Sequence, residues 1–337
     1  MAPLMALQGL LRTVVAGIAL FGVVSCAAED PDRFGIFIST LDGRRVQRIV
    51  SEPRREVNHA RVSPDGQWIT FTRYNKQNWK GIAREDGGYM ETEIMLARID
   101  GSEMQTLVPP RKDRVAANGY WTEDGKAILF VSNDNLGRRA QVSRIDLATR
   151  AVTKVPLDSD LWAADPHPAK GKMAISVFDP KDKLSSIWLA SDAGGPARQI
   201  SFPKPPGPQQ GDTPLGDYDP KLSPDGARVI AMRHMGKDNW HAVLIDLQTG
   251  EERDLSAPKA VDGVPEWSSD GRKLIFWHVD VADLARSGLY TMRPQGDERQ
   301  RIPLPKGFFY TMPAFFPGEG SGGDARIIFS AEKNPLL

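Results

Sequence analysis

The stretch that decides the fold is Leu222-Ser223-Pro224-Asp225-Gly226, which is followed by the β-forming run Ala-Arg-Val-Ile-Ala231. Close copies occur at Val62–Gly66, Trp121–Gly125 and Trp267–Gly271, each followed by a similar run. Proline presets φ for the second turn position, aspartate can accept backbone N–H groups, and glycine adopts positive φ without steric cost. Each copy therefore predicts a tight turn between two antiparallel strands.

The copies recur along most of the chain. Two eroded copies lie at His167–Gly171 and between Phe315 and Phe329. The turn glycines at positions 66, 125, 171, 226 and 271 are separated by 59, 46, 55 and 45 residues. Spacing of this size is typical of repeat folds in which each unit is a small sheet.

A second kind of hairpin alternates with the first and turns at Asp-Gly or Thr-Gly. Two hairpins make a four-stranded antiparallel sheet, and six such sheets make a propeller. The chain opens with a second-type hairpin (34–51) and closes with a first-type hairpin (313–331), so we expect these terminal half-blades to pair and close the ring. The second-type hairpins span residues 36–48, 94–107, 141–155, 187–200, 242–255 and 289–302.

The repeat, with its W-S-P-D-G-x-x-h-x-F core, resembles the TolB-like (WD40-like, PD40) β-propeller repeat over about residues 34–331. The resemblance implies an all-β, six-bladed β-propeller domain at 34–337. TolB proteins carry an additional N-terminal α/β domain, which we do not expect here because the first hairpin begins less than ten residues after Cys26. A direct part in the Tol–Pal system is therefore not implied.

The first 25 residues read as a targeting signal. The apolar run Val14–Val24 has eleven residues, too short to span a bilayer but typical of a signal-peptide h-region. The tetrad Val23-Val24-Ser25-Cys26 resembles the lipobox of bacterial lipoproteins, which implies lipidation of Cys26, a short tether at 26–33 and, with Ala27 next, the periplasmic side of the outer membrane. The alternative is an ordinary signal peptide cleaved after Ala27 or Ala28.

Composition and missing motifs exclude several functions. The 43 Lys and Arg balance 43 Asp and Glu, so a general nucleic-acid binder is not indicated, and a single cysteine excludes an intramolecular disulfide framework. G-x-S-x-G, H-E-x-x-H and P-loop motifs are absent. The string Gly318–Gly323 matches G-x-G-x-x-G but precedes a strand, which argues against a dinucleotide site. No cofactor is predicted.

Connectivity predicts which face binds. The long connections, including 72–93 and 203–219, lie on the face opposite the tight turns, and function usually sits on loops held by a rigid scaffold. We therefore predict the site on this face and at the mouth of the channel, where a polar ring could hold a cation, an amine or a sugar. Alternatively, these residues cap turns and bind water. The predicted ring is Asn58, His59, Asn118, Asp165, Asp217, Asp219, Asp262 and Tyr310.

Two functional hypotheses follow. The first is an envelope-anchored, non-enzymatic scaffold that binds a protein, peptide or glycan and touches the membrane only through its lipid anchor. The second is a channel-based, metal-dependent lyase or hydrolase acting on glycans, in resemblance to propeller-fold polysaccharide lyases. It predicts that His59, His234 and His278 converge with a carboxylate such as Asp219 or Asp280.

Overall fold

The computed structural model describes residues 33–53, 55–74, 92–111, 114–133, 140–158, 161–204 and 214–334. Within them the chain forms 24 β-strands and one 3-10 turn, Leu284–Arg286. No helix in these ranges is long and apolar enough to cross a membrane. The predicted signal peptide, Cys26 and its tether up to residue 32 lie outside the described residues and stay predictions.

The strands are short and antiparallel to their neighbours in sequence. In chain order they are β1 (Phe34–Thr40), β2 (Gln47–Glu52), β3 (Glu56–Val62), β4 (Trp68–Tyr74), β5 (Thr92–Arg98), β6 (Gln105–Val108), β7 (Ala116–Trp121), β8 (Ala127–Ser132), β9 (Gln141–Asp146), β10 (Val152–Lys154), β11 (Trp162–Ala169), β12 (Lys172–Asp179), β13 (Leu184–Ser191), β14 (Arg198–Gln199), β15 (Leu215–Leu222), β16 (Arg228–Gly236), β17 (Asn239–Asp246), β18 (Glu252–Asp254), β19 (Val261–Trp267), β20 (Leu274–Val279), β21 (Gly288–Met292), β22 (Gln300–Arg301), β23 (Phe308–Phe315) and β24 (Arg326–Lys333).

These strands build the predicted six-bladed β-propeller. Starting at β3, each group of four consecutive strands is one blade, and its first strand is the innermost. Short parallel pairings link blades 3, 4 and 5, from β13 to β15 and from β17 to β19. Each innermost strand contacts the next, and β23 contacts β3, so the ring is closed.

Blade 6 joins the two ends of the chain. Its strand order is β2-β1-β24-β23, and β1 pairs with β24 from Phe34↔Glu332 to Thr40↔Arg326. The Phe37 ring stacks on Phe329 with 5.9 Å between ring centroids. The predicted closure by terminal half-blades is therefore confirmed.

The repeat motif forms the turns for the reason its residues predicted. In blade 1, the Asp65 carboxylate accepts the backbone N–H of Gln67 at 3.0 Å, and the Ser63 hydroxyl accepts that of Trp68 at 2.9 Å. Gly66 has a φ of +72°. The hydroxyl of Ser63 is the main group that lowers the pKa of Asp65. Equivalent bonds recur at Asp124, Asp225 and Asp270.

The turns define two faces. The first-to-second and third-to-fourth strand turns of every blade lie on one side, here called the turn face. The second-to-third strand connections and the crossings between blades lie on the other side, here called the long-loop face. Arg33 and Asn334 also lie at the long-loop face because β1 and β24 begin and end there.

Candidate functional site

Each of the six innermost strands is interrupted by a β-bulge at the same position. The ladder register shifts there, for example between Asn58 and Arg61 in β3 and between Tyr218 and Lys221 in β15. One residue in each bulge has left-handed backbone, with φ between +47° and +57°, which is uncommon outside glycine. These bulge residues are His59, Asn118, Asp165, Asp219, Val264 and Met312.

The bulge residues and the residues two positions later form a buried group that we call the axial cluster. Its polar members are His59, Arg61, Asn118, Tyr120, Asp165, His167, Asp219, Lys221 and Glu266. All of them except His167, which is half-buried, are less than 9% exposed.

Tyr120 is the hub of the axial cluster. Its hydroxyl donates to Oδ1 of Asp219 at 3.3 Å and accepts a hydrogen bond from Arg61 at 3.4 Å. Nε2 of His59 lies 2.9 Å from the same oxygen. Lys221 forms an ion pair with Asp219 and lies over the Tyr120 ring, 5.1 Å from its centroid. These contacts join blades 1, 2 and 4 across the ring.

A second set of contacts crosses the ring elsewhere. Nε of Arg61 lies 3.8 Å from Oε2 of Glu266, so blade 1 pairs with blade 5. Nε2 of His167 lies 3.9 Å from the other oxygen of Glu266. Because side chains from blades that are not neighbours in the ring contact one another, the axial cluster fills the channel at this level.

Asp165 closes the remaining side of the cluster. Its two oxygens accept hydrogen bonds from Asn118 at 3.1 Å and from the Ser176 hydroxyl at 2.7 Å. Burial, assisted by the neighbouring Asp219 carboxylate, raises the pKa of Asp165 to about 6.

The cluster combines two cationic side chains, Arg61 and Lys221, with the three carboxylates of Asp165, Asp219 and Glu266. Burial alone would lower the pKa of Lys221, but the Asp219 carboxylate raises it. Burial, with Arg61 and Lys221 nearby, holds the pKa of His59 well below its ordinary value, so its imidazole is neutral. A neutral imidazole can act as a base, but His59 is fully buried, so solvent and substrate do not reach it. The arrangement therefore fits a buried polar network that closes the channel better than a solvent-accessible acid–base site.

Only some members of the predicted channel-mouth ring meet one another. His59, Asn118, Asp165 and Asp219 belong to the axial cluster. We expected these residues just before the innermost strands; the structure places them within those strands, because the strands extend further toward the long-loop face.

The other four predicted ring residues have separate partners. Asn58 donates to Glu56 at 3.3 Å. Asp217 is bound by both Nε and a terminal nitrogen of Arg233, at 2.6 and 2.8 Å. The Tyr310 hydroxyl donates to the Pro305 carbonyl oxygen at 2.5 Å.

Asp262 is held by basic side chains of its own blade. Arg299 donates to both of its oxygens, at 2.6 and 2.8 Å, and Nδ1 of His278 lies 2.8 Å away. Burial alone would raise the pKa of Asp262, but the hydrogen bonds from Arg299 and His278 lower it to about 2. This carboxylate is therefore committed to an internal ion pair.

The three histidines of the metal hypothesis lie in three different blades. His59 belongs to the axial cluster, whereas the ring nitrogens of His234 lie 2.9 Å from the carbonyl oxygens of Pro214 and Gly236. His278 is bound to Asp262. In the described part of the chain, no group of three or more His, Cys, Asp or Glu is arranged to hold a metal ion.

Sequence reasoning missed half of the axial cluster. Arg61, Tyr120, Lys221 and Glu266 each lie directly before the turn motif, a position we did not single out. A signal was present, because the residue before each is Ala60, Gly119, Pro220 or Pro265, with Pro166 and Pro313 in the other blades. Proline lacks the ladder N–H and is confined to edges and bulges, so this column of small or cyclic residues marks the bulge.

A second candidate surface lies on the turn face at the junction of blades 6 and 1. It is an open cleft of about 870 Å³ with Ile38 and Ile99 among the lining side chains. The turn at Asp42 and the glycine-rich insert between β23 and β24 border it, with Arg44, Arg45 and Asp324 at its rim. The sequence did not single out this cleft.

Comparison with solved structures supports the fold. A putative TolB from Agrobacterium tumefaciens superposes with a TM-score of 0.61 at 11% identity, covering 89% of this chain and 98% of that one. TolB from Acinetobacter baumannii gives 0.58 at 16% identity, covering 97% and 70%. An oligogalacturonate lyase from Vibrio parahaemolyticus gives 0.51 at 12% identity, covering 85% and 80%.

At these identities the likeness shows the fold alone: the chain has a TolB-like β-propeller fold. No protein-family model matches the sequence, and no curated protein does. The function therefore has to be argued from the side chains.

Proposed function

We propose that the protein is an envelope-anchored β-propeller scaffold that binds a protein, peptide or glycan on a face, without chemistry in its channel. The observation that carries this proposal is the set of contacts across the ring, from Tyr120 to Asp219 and from Arg61 to Glu266. In these contacts the polar side chains of the channel pair with one another and are not free to bind a ligand. A ligand then has only the two faces to bind.

The long-loop face remains the first candidate for capture because the long connections lie there. The turn-face cleft is a second candidate, since its volume falls in the range of ligand pockets and two partly buried isoleucines line it. No nucleic-acid partner is proposed, because the chain has no net charge.

The experiment that tests the proposal is chemical crosslinking of the mature protein in an envelope extract, followed by mass spectrometry of the crosslinked peptides. We expect crosslinks from lysines of one face, such as Lys204 on the long-loop face or Lys170 on the turn face, to a recurring partner. Repetition with released glycan strands tests the glycan arm. The absence of any recurring protein or glycan adduct would contradict the scaffold proposal.

The envelope location rests on the resemblance of the repeat to bacterial TolB-like propellers and on the predicted lipidation of Cys26. Replacing Cys26 with serine should move the protein from the membrane pellet to the soluble periplasmic fraction, because acyl chains are the proposed anchor. Persistence of Cys26→Ser in the pellet would contradict lipid anchoring.

The alternative is a channel enzyme acting on glycans, by analogy with the lyase that shares the fold. It needs a substrate to reach His59, which the fully buried position of that residue opposes. We expect no release of unsaturated or reducing ends from polyuronates, with or without added divalent metal ions. Turnover that disappears in a correctly folded His59→Gln variant would support the enzyme instead.

A further inference from the structure

The described connections on the two faces of the propeller carry opposite net charge although the whole chain is neutral. On the long-loop face, the described residues outside strands include eleven Lys and Arg and five Asp and Glu. On the turn face, the corresponding turns include nine Lys and Arg and fourteen Asp and Glu. The acidic excess follows from the aspartate that the repeat needs in each turn, whereas nothing in the repeat requires the basic excess opposite.

Six exposed lysines form an arc on the long-loop face from blade 3 to blade 6. They come from five of the six connections between β12 and β23 on this face, and all are exposed to solvent. None of them takes part in an ion pair within the described part of the chain. The arc consists of Lys181, Lys183, Lys204, Lys237, Lys259 and Lys306.

Two large apolar side chains stand exposed within this arc. Phe202, between β14 and β15, is 63% exposed, and Val281, between β20 and β21, is 52% exposed. Exposed aromatic and aliphatic side chains among lysines are the composition of surfaces that settle at a membrane interface. A rim of carboxylates, as on the turn face, would oppose such contact.

The position of Arg33 adds a geometric constraint. Six residues lie between Cys26 and Arg33, so a fully extended chain of seven residue steps from one to the other spans about 25 Å. Arg33 lies at the long-loop face, and the seven-residue strand β1 runs from there toward the turn face over about 20 Å. If a lipidated Cys26 anchors the chain, the tether would need about 20 Å of its length of about 25 Å to run along the propeller before the turn face could contact the bilayer.

We infer that the long-loop face lies against an anionic phospholipid surface, with the lysine arc on the headgroup phosphates and Phe202 and Val281 in the interface. The tether step rests on the proposed anchor, whereas the charge and the apolar side chains stand without it. With the long-loop face at the membrane, a soluble partner meets the turn face and its cleft, the second of the two candidate surfaces of the proposed function.

The test uses the mature Cys26→Ser chain, so that the face is examined without the anchor. Vesicles of phosphatidylcholine alone are compared with vesicles that contain about 30% phosphatidylglycerol. Because each lysine at an anionic surface contributes about a fivefold factor in binding, we expect at least a tenfold preference for the anionic vesicles, weakened in about 0.5 M salt. Equal binding to both vesicles would overturn the inference.

A matched pair of variants separates the arc from general charge. The triple variant Lys204→Glu, Lys237→Glu, Lys259→Glu should lose the preference, while the turn-face triple variant Lys126→Glu, Lys170→Glu, Arg272→Glu should keep it. All six side chains are exposed, so both variants should fold, which thermal melting checks. Equal loss in the two variants would overturn the inference.

The orientation is read with one label at a time, since Cys26 is the only natural cysteine. In the Cys26→Ser chain, a polarity-sensitive dye on Val281→Cys should shift to the blue with anionic vesicles, and a dye on Met104→Cys, on the turn face, should not. Crosslinking of the long-loop face to an envelope protein without any vesicle binding would overturn this inference and leave the scaffold proposal standing. Vesicle binding without any crosslinked envelope partner would support this inference and contradict the scaffold proposal.

Discussion

At the residue scale, Tyr120 explains why the channel is closed. Its hydroxyl contacts His59, Arg61 and Asp219, which come from two other blades. The side chain is 4% exposed, so water cannot replace these bonds. This one oxygen atom therefore joins blades 1, 2 and 4 at the axis.

Removing that oxygen should weaken the fold. We expect Tyr120→Phe to lower the free energy of unfolding by about 1–3 kcal/mol, because it leaves buried polar partners unsatisfied. The control is Tyr290→Phe, whose hydroxyl makes an exposed bond to the Arg286 carbonyl oxygen and should cost less than about 0.5 kcal/mol. Urea unfolding measures both; equal losses would show that Tyr120 is not a hub.

Asp165 gives the fold a pH dependence of defined sign. Its pKa is about 6 in the folded protein, above the ordinary value of about 3.9, so the folded state binds the proton more tightly. The contribution of Asp165 to stability is therefore full below about pH 4, falls as the pH rises to about 6, and is constant above that.

Asp165→Asn should remove this contribution. Relative to the natural protein, the variant should gain about 2 kcal/mol in the free energy of unfolding between pH 4 and pH 7, since the asparagine stays neutral. It can keep its bonds because the Ser176 hydroxyl can accept as well as donate. Urea unfolding across this pH range measures the difference, and a difference that is flat or falls with pH contradicts the assignment.

At the element scale, closure of the ring depends on strand β1. Phe37 stacks on Phe329 and meets Phe308 edge-on at 5.6 Å. Phe37→Ala should lower the free energy of unfolding by about 3–5 kcal/mol, because it opens a cavity where the chain ends meet. Phe202→Ala, at an exposed position, is the control and should stay within about 0.5 kcal/mol. A small loss in Phe37→Ala, measured by urea unfolding, would show that closure rests elsewhere.

Packing of β19 on β20 depends on a glycine. A Cβ on Gly263 would lie 2.0 Å from Cζ2 of the buried Trp277. Gly263→Ala should therefore cost at least about 1–3 kcal/mol, while Gly320→Ala, with more room, should cost little.

A double-mutant cycle identifies the clash. The variant Gly263→Ala/Trp277→Phe should lose less than the sum of the single variants, because the smaller ring makes room. Chemical denaturation of the four proteins supplies the comparison. Additive losses would mean that the cost of Gly263→Ala has another origin.

The hairpins were predictable because their turn residues act locally. Asp65 and Gly66 shape the chain within a few residues, so the fold and its closure followed from the sequence. The partners of Asp217 and Asp262 did not, because Arg233 and Arg299 are 16 and 37 residues away and reach them through strand register. About half of the axial cluster was predicted from the sequence. The rest was missed for the same reason, because its contacts join different blades.

At the scale of the whole molecule, closure of the channel divides the protein into two working surfaces. The long-loop face is basic and holds Phe202 and Val281, and the turn face is acidic and holds the cleft. A ligand of this propeller should therefore respond to changes on a face and ignore changes at the axis.

The most direct test is the amount of envelope partner crosslinked per folded molecule, compared across three variants. We predict that Tyr120→Phe captures as much as the natural protein although it is less stable. We also predict that a charge reversal on one face, either the long-loop triple variant or Arg45→Glu in the cleft, lowers capture at least tenfold. Loss of capture in folded Tyr120→Phe, with both face variants unchanged, would contradict the account and return the site to the channel.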